Sequence, residues 1–252
     1  TMMNYLIKIN NYIKDIYYLS PKDIFVLSYP KSGNTRIRMA LAYYYYLIEN
    51  NLTEFDFNYL NLTQVEFGQG KIKEARKRSP FKNNVIFIKT HRIFEVKYFS
   101  KKNKIVYISR PSLETLVSYH EYKINRNITY NLTFNDFLSK KNLGSNYFLK
   151  HLKFGVKSNS LKILYSNLIN TPHITFKSIM DYSELNYDYK YFKQAITKTE
   201  RKHAVKFKNH LDSENYRFTK KKNRKIDDYF NQSNLDSVAP LLDIFKFYNN
   251  LK

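Results

Sequence analysis

The sequence predicts an α/β fold with a central parallel sheet flanked by helices. Four short apolar runs begin at Ile24, Val85, Ile105 and Leu161, and helix-patterned stretches lie between several of them. Short apolar strands that alternate with helices are typical of a parallel sheet covered on both faces. The length of 252 residues and the hydrophobic content of 43% suit one domain with a sizeable core.

The first apolar run predicts a strand, a tight loop and a helix. Ile24–Tyr29 reads as a buried strand that Pro30 ends, and Lys31–Asn34 reads as a turn. From Thr35 to about Ile48 no Gly or Pro intervenes and apolar residues recur at helical spacing. The segment 30–35 is therefore a loop between the end of a strand and the start of a helix.

This loop has the composition of an anion site. A helix N-terminus offers N–H groups and a positive dipole end. Gly33 permits close backbone approach, Lys31 adds a positive charge, and Ser32 and Thr35 add hydroxyl donors. A Walker A motif is excluded, because here Lys precedes a single Gly.

Polar residues also follow the next two runs. Val85–Ile88 leads into Lys89-Thr90-His91, and Ile105–Ile108 leads into Ser109-Arg110-Pro111 and a predicted helix from about Ser112 to Glu121. Ligands of such sheets bind beyond the carboxyl ends of the strands. The three motifs therefore predict one site.

The basic segments 61–82 and 203–225 are expected to be charged connections or a rim over an anionic ligand.

Composition limits the class of protein. The net charge of +22 would attract polyanions, anionic lipid or nucleotides, although the Lys-rich usage throughout explains much of it as compositional bias. With Cys 0, disulfide scaffolds, thiolate metal sites and cysteine nucleophiles are excluded, and a reducing compartment fits. No apolar run reaches the roughly 18 residues of a membrane span, and the first 20 residues lack the apolar core of a signal peptide. A cytoplasmic protein without a metal site is expected.

At these residues the chain resembles the sulfotransferases that use 3′-phosphoadenosine 5′-phosphosulfate (PAPS). The segment Ser28–Thr35 resembles that family's 5′-phosphosulfate loop. Ile105–Pro111, in which Arg110 is followed eight residues later by Ser118, resembles its 3′-phosphate motif. Lys89-Thr90-His91 resembles the segment that carries the family's catalytic base, and weaker matches lie at Leu164–Leu168, Phe218–Lys221 and Asp228–Phe230.

The resemblance implies a P-loop kinase-like sulfotransferase fold over residues 1–252, with a nucleotide-binding core at about 20–230 and a C-terminal helix at about 235–251. It implies PAPS as sulfuryl donor, 3′,5′-bisphosphoadenosine (PAP) as product and no metal. The implied catalytic residues are His91 as base, Lys31 and Lys89. The implied nucleotide contacts come from the phosphosulfate loop, the 3′-phosphate motif, the adenine region and the weaker motifs: Lys31, Ser32, Gly33, Asn34, Thr35, Arg36, Arg110, Ser118, Tyr165, Thr199, Lys220 and Lys221.

Departures from the family pattern leave alternatives open. Arg36 occupies the position of the family's Trp, and the chain has no Trp, so Arg36 either stacks on adenine or faces solvent. In the late segment, Lys220 or Lys221 supplies the charge of a missing Arg.

Two other functions compete with sulfuryl transfer. A nucleotide or small-molecule kinase could use a related fold, and a non-enzymatic polyanion or nucleic-acid binder could use the charge of +22. The second alternative does not explain why Lys31, His91 and Arg110 all follow strands, so no specific nucleic acid is expected. A small phenol or alcohol, an amine, a glycolipid sugar and a polysaccharide all remain open as acceptors, as does the oligomeric state.

Overall fold

A five-stranded parallel sheet forms the centre of the protein. In the computed structural model, residues 2–50, 64–126, 131–199, 226 and 229–249 are described. The strands are β1 (Ile24–Ser28), β2 (Gln64–Glu66), β3 (Phe87–Thr90), β4 (Lys104–Ser109) and β5 (Leu161–Leu164). Their order in the sheet is β2-β3-β1-β4-β5, and every neighbouring pair is parallel. The predicted α/β architecture is confirmed.

Helices cover both faces of this sheet. They are α1 (Met2–Tyr18), α2 (Asn34–Asn50), α3 (Ile72–Lys77), α4 (Ile93–Phe99), α5 (Leu113–Arg126), α6 (Phe134–Ser139), α7 (Ser145–Lys157), α8 (Tyr165–Asn170), α9 (Pro172–Tyr182), α10 (Tyr189–Lys198) and α11 (Gln232–Asn249), with a 3₁₀ turn at Lys82–Asn84. None of these helices is both long and apolar enough to cross a membrane.

The two faces of the sheet bury separate apolar clusters, which explains why the strands are apolar at successive positions. Ile24 and Val26 of β1 belong to a cluster with α2, α9 and α10. Phe25 and Leu27, which alternate with them, belong to a cluster with α5, α7 and α11 on the other face. Both side-chain directions of the strand are thus removed from water.

The segment 61–82 was predicted as a charged connection or a rim over an anionic ligand, and its described part contains a strand and a helix that this prediction missed. Strand β2 and helix α3 both lie within it. Only Val65 of the three residues of β2 is apolar, so the strand carries no apolar run, and its place at the sheet edge tolerates the polar flanks. The segment 203–225 lies outside the described residues.

Candidate active site

The carboxyl ends of four parallel strands bring the predicted motifs to one edge of the sheet. Strand β1 lies between β3 and β4, and β5 lies beyond β4. The loop containing Lys31 follows β1, and His91 follows β3. Arg110 follows β4, and Tyr165 follows β5. The site therefore has the loop at its centre, with His91 on one side and Arg110 and Tyr165 on the other.

The loop after β1 is a tight turn with two residues in the left-handed region. Lys31 has φ of 67° and Gly33 has φ of 112°. A side chain would not fit at Gly33, because a Cβ there would lie 2.7 Å from Cδ2 of Tyr165. The Ser32 side chain is 1% exposed, and its Oγ has no hydrogen-bond partner among the described residues. A buried hydroxyl of this kind calls for a partner, so the loop fits an anionic group with acceptor oxygens.

Helix α2 begins directly after this loop, at Asn34, so its N-terminal N–H groups lie beside Ser32 and Gly33. The buried side chain of Asn34 points into the protein, where Nδ2 donates to Oγ of Ser28 at 3.1 Å. Thr35 is exposed in the first turn. Asn34 therefore supports the loop from within, whereas Thr35 offers its hydroxyl to the solvent side.

The guanidinium of Arg110 is held between a carboxylate and an aromatic ring. Its Nη2 donates to Oε2 of Glu114 at 3.0 Å, and its Cζ lies 4.6 Å from the centre of the Tyr165 ring. Thr115 fixes the backbone before helix α5 by donating from Oγ1 to the carbonyl of Arg110 at 2.9 Å. The Tyr165 ring also contacts Gly33, so it links the loop to Arg110.

One face of helix α5 runs from Arg110 towards Lys31. Glu114, Ser118 and Tyr122 follow one another at intervals of one helical turn, so they lie on neighbouring parts of one face. Arg110 bonds to Glu114, and Nζ of Lys31 lies 4.9 Å from the centre of the Tyr122 ring. The buried Ser118 lies between these two contacts along the helix.

His91 is oriented by the backbone of β1. Its Nδ1 lies 2.8 Å from the carbonyl oxygen of Ser28, which can only accept, so Nδ1 carries the proton. In the neutral ring, Nε2 then keeps its lone pair and can accept a proton. The carbonyl of His91 itself accepts from the hydroxyl of Tyr147 at 2.7 Å and from Nε2 of His151 at 2.9 Å.

The pKa of His91 is lowered from 6.5 to about 3, mainly by burial and next by the positive charge of Lys89, while the hydrogen bond to Ser28 opposes this shift. Arg38 and Arg92 add smaller effects in the lowering direction. The imidazole is therefore neutral across the physiological range of pH. A bound anion in the site would oppose the effect of these cations.

Lys89 points towards the edge strand of the sheet. Its Nζ lies 3.3 Å from Oε2 of Glu66 in β2, and its side chain is 14% exposed. This ion pair gives Lys89 a structural role, whereas the family resemblance implied a catalytic one. The ammonium of Lys89 is also close enough to His91 to lower the pKa of that imidazole.

Arg36 and Thr199, the two residues assigned to the adenine region, lie together. Nη1 of Arg36 donates to the backbone carbonyl of Thr199 at 2.6 Å, at the end of helix α10. The hydroxyl of Thr199 donates to carbonyls of its own helix, those of Ala195 and Ile196, at 3.0 Å each. Lys220 and Lys221 lie outside the described residues.

The described residues hold no group of three or more His, Cys, Asp or Glu side chains that could bind a metal ion.

Several residues at the site have no signal in the sequence motifs. Glu114 and Tyr122 become recognisable only when helix α5 is built from Arg110 onwards, because they lie one turn on either side of Ser118. Tyr147 and His151 lie far from His91 along the chain, and only packing of helix α7 brings them to its carbonyl. Ser28 lies in the loop motif, but its contact with His91 depends on the neighbouring position of β3.

Residues 21–237 match the family model of the sulfotransferase domain. The chain belongs to the sulfotransferase family.

The solved structures of this fold that resemble the chain include mouse sulfotransferase SULT7A1 complexed with PAP. Its TM-score is 0.57 at 20% identity, and the match covers 88% of this chain and 84% of that chain. Retinol dehydratase in complex with androsterone and the inactive cofactor PAP has a TM-score of 0.59 and 15% identity, with coverage of 94% and 85%. Retinol dehydratase with retinol and PAP has a TM-score of 0.57 and 18% identity, with coverage of 93% and 85%. No curated protein sequence matches the chain significantly. The predicted family and the predicted sulfotransferase fold are therefore confirmed.

Proposed function

We propose that this sulfotransferase transfers a sulfuryl group from PAPS to a hydroxyl group of an acceptor. The observation that carries the proposal is the meeting of the Lys31 loop, His91 and Arg110 at the ends of adjacent strands. When bound, PAPS supplies the activated sulfuryl group, and PAP is the product. Charge in the site supports an anionic nucleotide, since Lys31 lies in the loop, Lys89 in the strand on one side and Arg110 after the strand on the other.

The loop and helix α5 would bind the two phosphate ends of the nucleotide. Ser32, Thr35, the loop amides and Lys31 suit the 5′-phosphosulfate, where positive charge stabilises the oxygen that leaves sulfur. Arg110 and Ser118 suit the 3′-phosphate, because a guanidinium and a hydroxyl donate to its oxygens. Arg36 and Thr199 suit the adenine end.

His91 would act as the general base. Its Nδ1 donates to Ser28, which leaves the Nε2 lone pair to accept the proton of an acceptor hydroxyl. Tyr147 and His151 hold the backbone carbonyl of His91 and so fix the position of the ring. Lys89 stays close enough to lower the pKa of His91, so it could stabilise added negative charge.

The proposed acceptor is a small molecule or a sugar of a glycan or glycolipid. Its reacting group is a hydroxyl, with an amine as the second choice. The structures of retinol dehydratase with retinol and with androsterone, both alcohols, support a hydroxyl acceptor. We propose further that the whole chain forms one sulfotransferase domain and acts in the cytoplasm.

Calorimetry with nucleotides tests this function against a kinase. PAP is expected to bind, whereas ADP and ATP, with or without Mg²⁺, lack a 3′-phosphate for Arg110 and are expected to bind more weakly. The variant Arg110→Ala should lose about 1–3 kcal/mol of PAP binding, the scale of a charge-assisted hydrogen bond. Tighter binding of ATP with Mg²⁺ than of PAP would contradict the proposal. A screen of acceptors with ³⁵S-labelled PAPS would then identify the acceptor class.

A further inference from the structure

Helix α1 turns its apolar face away from the protein. At 100° per residue, one continuous stripe of the helix contains seven apolar side chains. All seven are exposed, by 39% to 80% of their surface: Met2, Tyr5, Leu6, Ile9, Ile13, Ile16 and Tyr17. A helix on the surface of a soluble protein normally directs such a stripe to the core.

Two residues outside the stripe, Tyr12 and Asp15, fix this orientation through polar contacts. The buried Asp15 carboxylate accepts the backbone N–H groups of Gly68, Gln69, Gly70 and Ile72 at 2.8 to 3.2 Å. The hydroxyl of Tyr12, one turn earlier, is hydrogen-bonded to Glu95 and Arg92 of the segment that begins helix α4. Rotating the helix to bury its apolar stripe would break all of these bonds.

Close packing against glycine supports the same orientation. A Cβ on Gly68 would lie 2.6 Å from the Tyr12 ring, and one on Gly70 would lie 2.9 Å from Oδ1 of Asn11. Both glycines have positive φ, of 85° and 72°. The loop after β2 is thus shaped to receive the polar side of helix α1.

Within the described segment 2–23, the exposed charges are all positive. Lys8 and Lys14 are exposed on the two flanks of the stripe, and the exposed Lys22 follows the helix. The two acidic residues of this segment are buried, since Asp15 binds backbone N–H groups and Asp23 pairs with Arg76. The surface therefore combines apolar side chains with unopposed lysines.

We propose that helix α1 is a peripheral membrane anchor that binds the interface of an anionic lipid bilayer. The stripe would enter the boundary between headgroups and acyl chains, and Lys8, Lys14 and Lys22 would reach the anionic headgroups. The net charge of +22 adds long-range attraction to the same surface. A second copy of the chain is the less favourable occupant, because pairing two stripes would bring their flanking lysines together. The proposal does not depend on sulfuryl transfer.

Vesicle sedimentation tests the anchor. The full chain should bind vesicles of phosphatidylcholine with about a third phosphatidylglycerol, and bind pure phosphatidylcholine and high-salt samples weakly. The triple variant Leu6→Gln, Ile9→Gln and Ile13→Gln should lower binding by about tenfold or more, because three side chains lose burial in lipid. Gln keeps a good helix propensity, so α1 should stay folded.

A matched triple variant controls for removing exposed apolar side chains elsewhere. Val156, Ile169 and Ile174 are exposed on other helices, and changing all three to Gln should leave vesicle binding unchanged. Both triple variants should keep wild-type PAP affinity, which shows that the fold is intact. Equal vesicle binding by wild type and the α1 variant would overturn the proposal and leave only general charge attraction.

Single-tryptophan variants report where the helix lies, because the chain has no Trp. In Leu6→Trp, the emission should shift to shorter wavelength when anionic vesicles are added. In Ile174→Trp, at a side chain that is 72% exposed, it should not shift. A shift in Leu6→Trp that depends on protein concentration and needs no vesicles would overturn the proposal in favour of self-association.

Discussion

Gly33 and Tyr165 are in direct contact across the candidate site, since a Cβ on Gly33 would lie 2.7 Å from Cδ2 of the tyrosine ring. The ring also lies under the guanidinium of Arg110, at 4.6 Å from its centre to Cζ. One aromatic ring therefore contacts both the loop containing Lys31 and Arg110, which are proposed to bind the phosphosulfate and the 3′-phosphate. The sequence resemblance marked Tyr165 only as part of a weak motif.

Tyr165→Ala should weaken PAP binding while Tyr165→Phe should not. The ring positions Arg110 through a cation–π contact worth about 0.5–2 kcal/mol, and this contact does not need the hydroxyl. Calorimetry should therefore show a loss of about 2–30-fold in Tyr165→Ala and a change within about twofold in Tyr165→Phe. If the two variants lose affinity equally, the hydroxyl contacts the nucleotide and the positioning role is wrong.

Glu114→Gln should tighten PAP binding. Glu114 holds the guanidinium of Arg110 at 3.0 Å, so a 3′-phosphate has to compete with a carboxylate of the same charge. Because Glu114 is about half exposed, the gain should be modest, about 2–10-fold, and should shrink as salt is raised. Glu184→Gln, which removes the exposed partner of Lys104, is the matched control and should not change PAP affinity. Weaker PAP binding in Glu114→Gln would show that Glu114 orients Arg110 for the phosphate.

Arg36→Glu should weaken PAP binding and Arg36→Trp should preserve it. Arg36 is fixed to the carbonyl of Thr199, so its side chain spans the region assigned to adenine. A Trp ring can supply stacking in that region, whereas a carboxylate supplies neither stacking nor a donor to the carbonyl. Binding of both variants at the wild-type level would show that adenine lies elsewhere. A folding control is needed, because the bond to Thr199 also ties helix α2 to helix α10.

The sequence predicted the central strands of the sheet and the order of the motifs. A strand that is buried on both faces is apolar at successive positions, and such a run is recognisable in the sequence alone. It missed β2, whose polar residues at the sheet edge give no such run. The loop, His91 and Arg110 were found because each follows a strand directly. Tyr147, His151 and Glu66 were not, because their contacts with His91 and Lys89 depend on the packing of distant elements. The low pKa of His91 was equally hidden, since burial and nearby cations are properties of the folded protein.

Acid should destabilise the protein in a way that His151 controls. Burial lowers the pKa of His151 from 6.5 to about 3, the hydrogen bond to the carbonyl of His91 opposes this shift, and the His91 ring adds a smaller lowering effect. Between these values the unfolded chain binds a proton that the folded chain does not, so the free energy of unfolding falls as pH drops from about 6.5 towards 3. One such group contributes a slope of up to about 1.4 kcal/mol per pH unit.

His151→Gln should reduce that slope by about one proton, because the amide can still donate to the carbonyl of His91 but does not titrate. Urea unfolding at several pH values between 7 and 4 measures the slope. Parallel curves for wild type and His151→Gln would mean that His151 titrates normally in the folded protein.

His91→Ala should separate catalysis from nucleotide binding. The Nε2 lone pair is proposed to take the proton from the acceptor's hydroxyl and to make no contact with the nucleotide. Turnover should therefore fall by about 10²–10⁴-fold, while PAP affinity changes by less than about twofold. Lys31→Ala should lower both, because its ammonium would contact the phosphosulfate before and during transfer. Labelled PAPS with the acceptor found by screening measures turnover, and calorimetry measures PAP affinity.

The pH dependence of kcat/KM in the wild type tests the proposed role of His91 in a second way. Because its pKa is about 3 in the free protein, the ring is already neutral at pH 5, and protonation of His91 should not lower kcat/KM until the pH falls below about 4. A fall of kcat/KM below about pH 6.5 that is absent in His91→Ala would contradict the low pKa of the buried imidazole and would still support His91 as the base. Turnover near the wild-type level in His91→Ala would reject the base altogether. The proton would then pass to another group, and binding of PAP at Arg110 and the Lys31 loop would stand unchanged, because neither contact involves the imidazole.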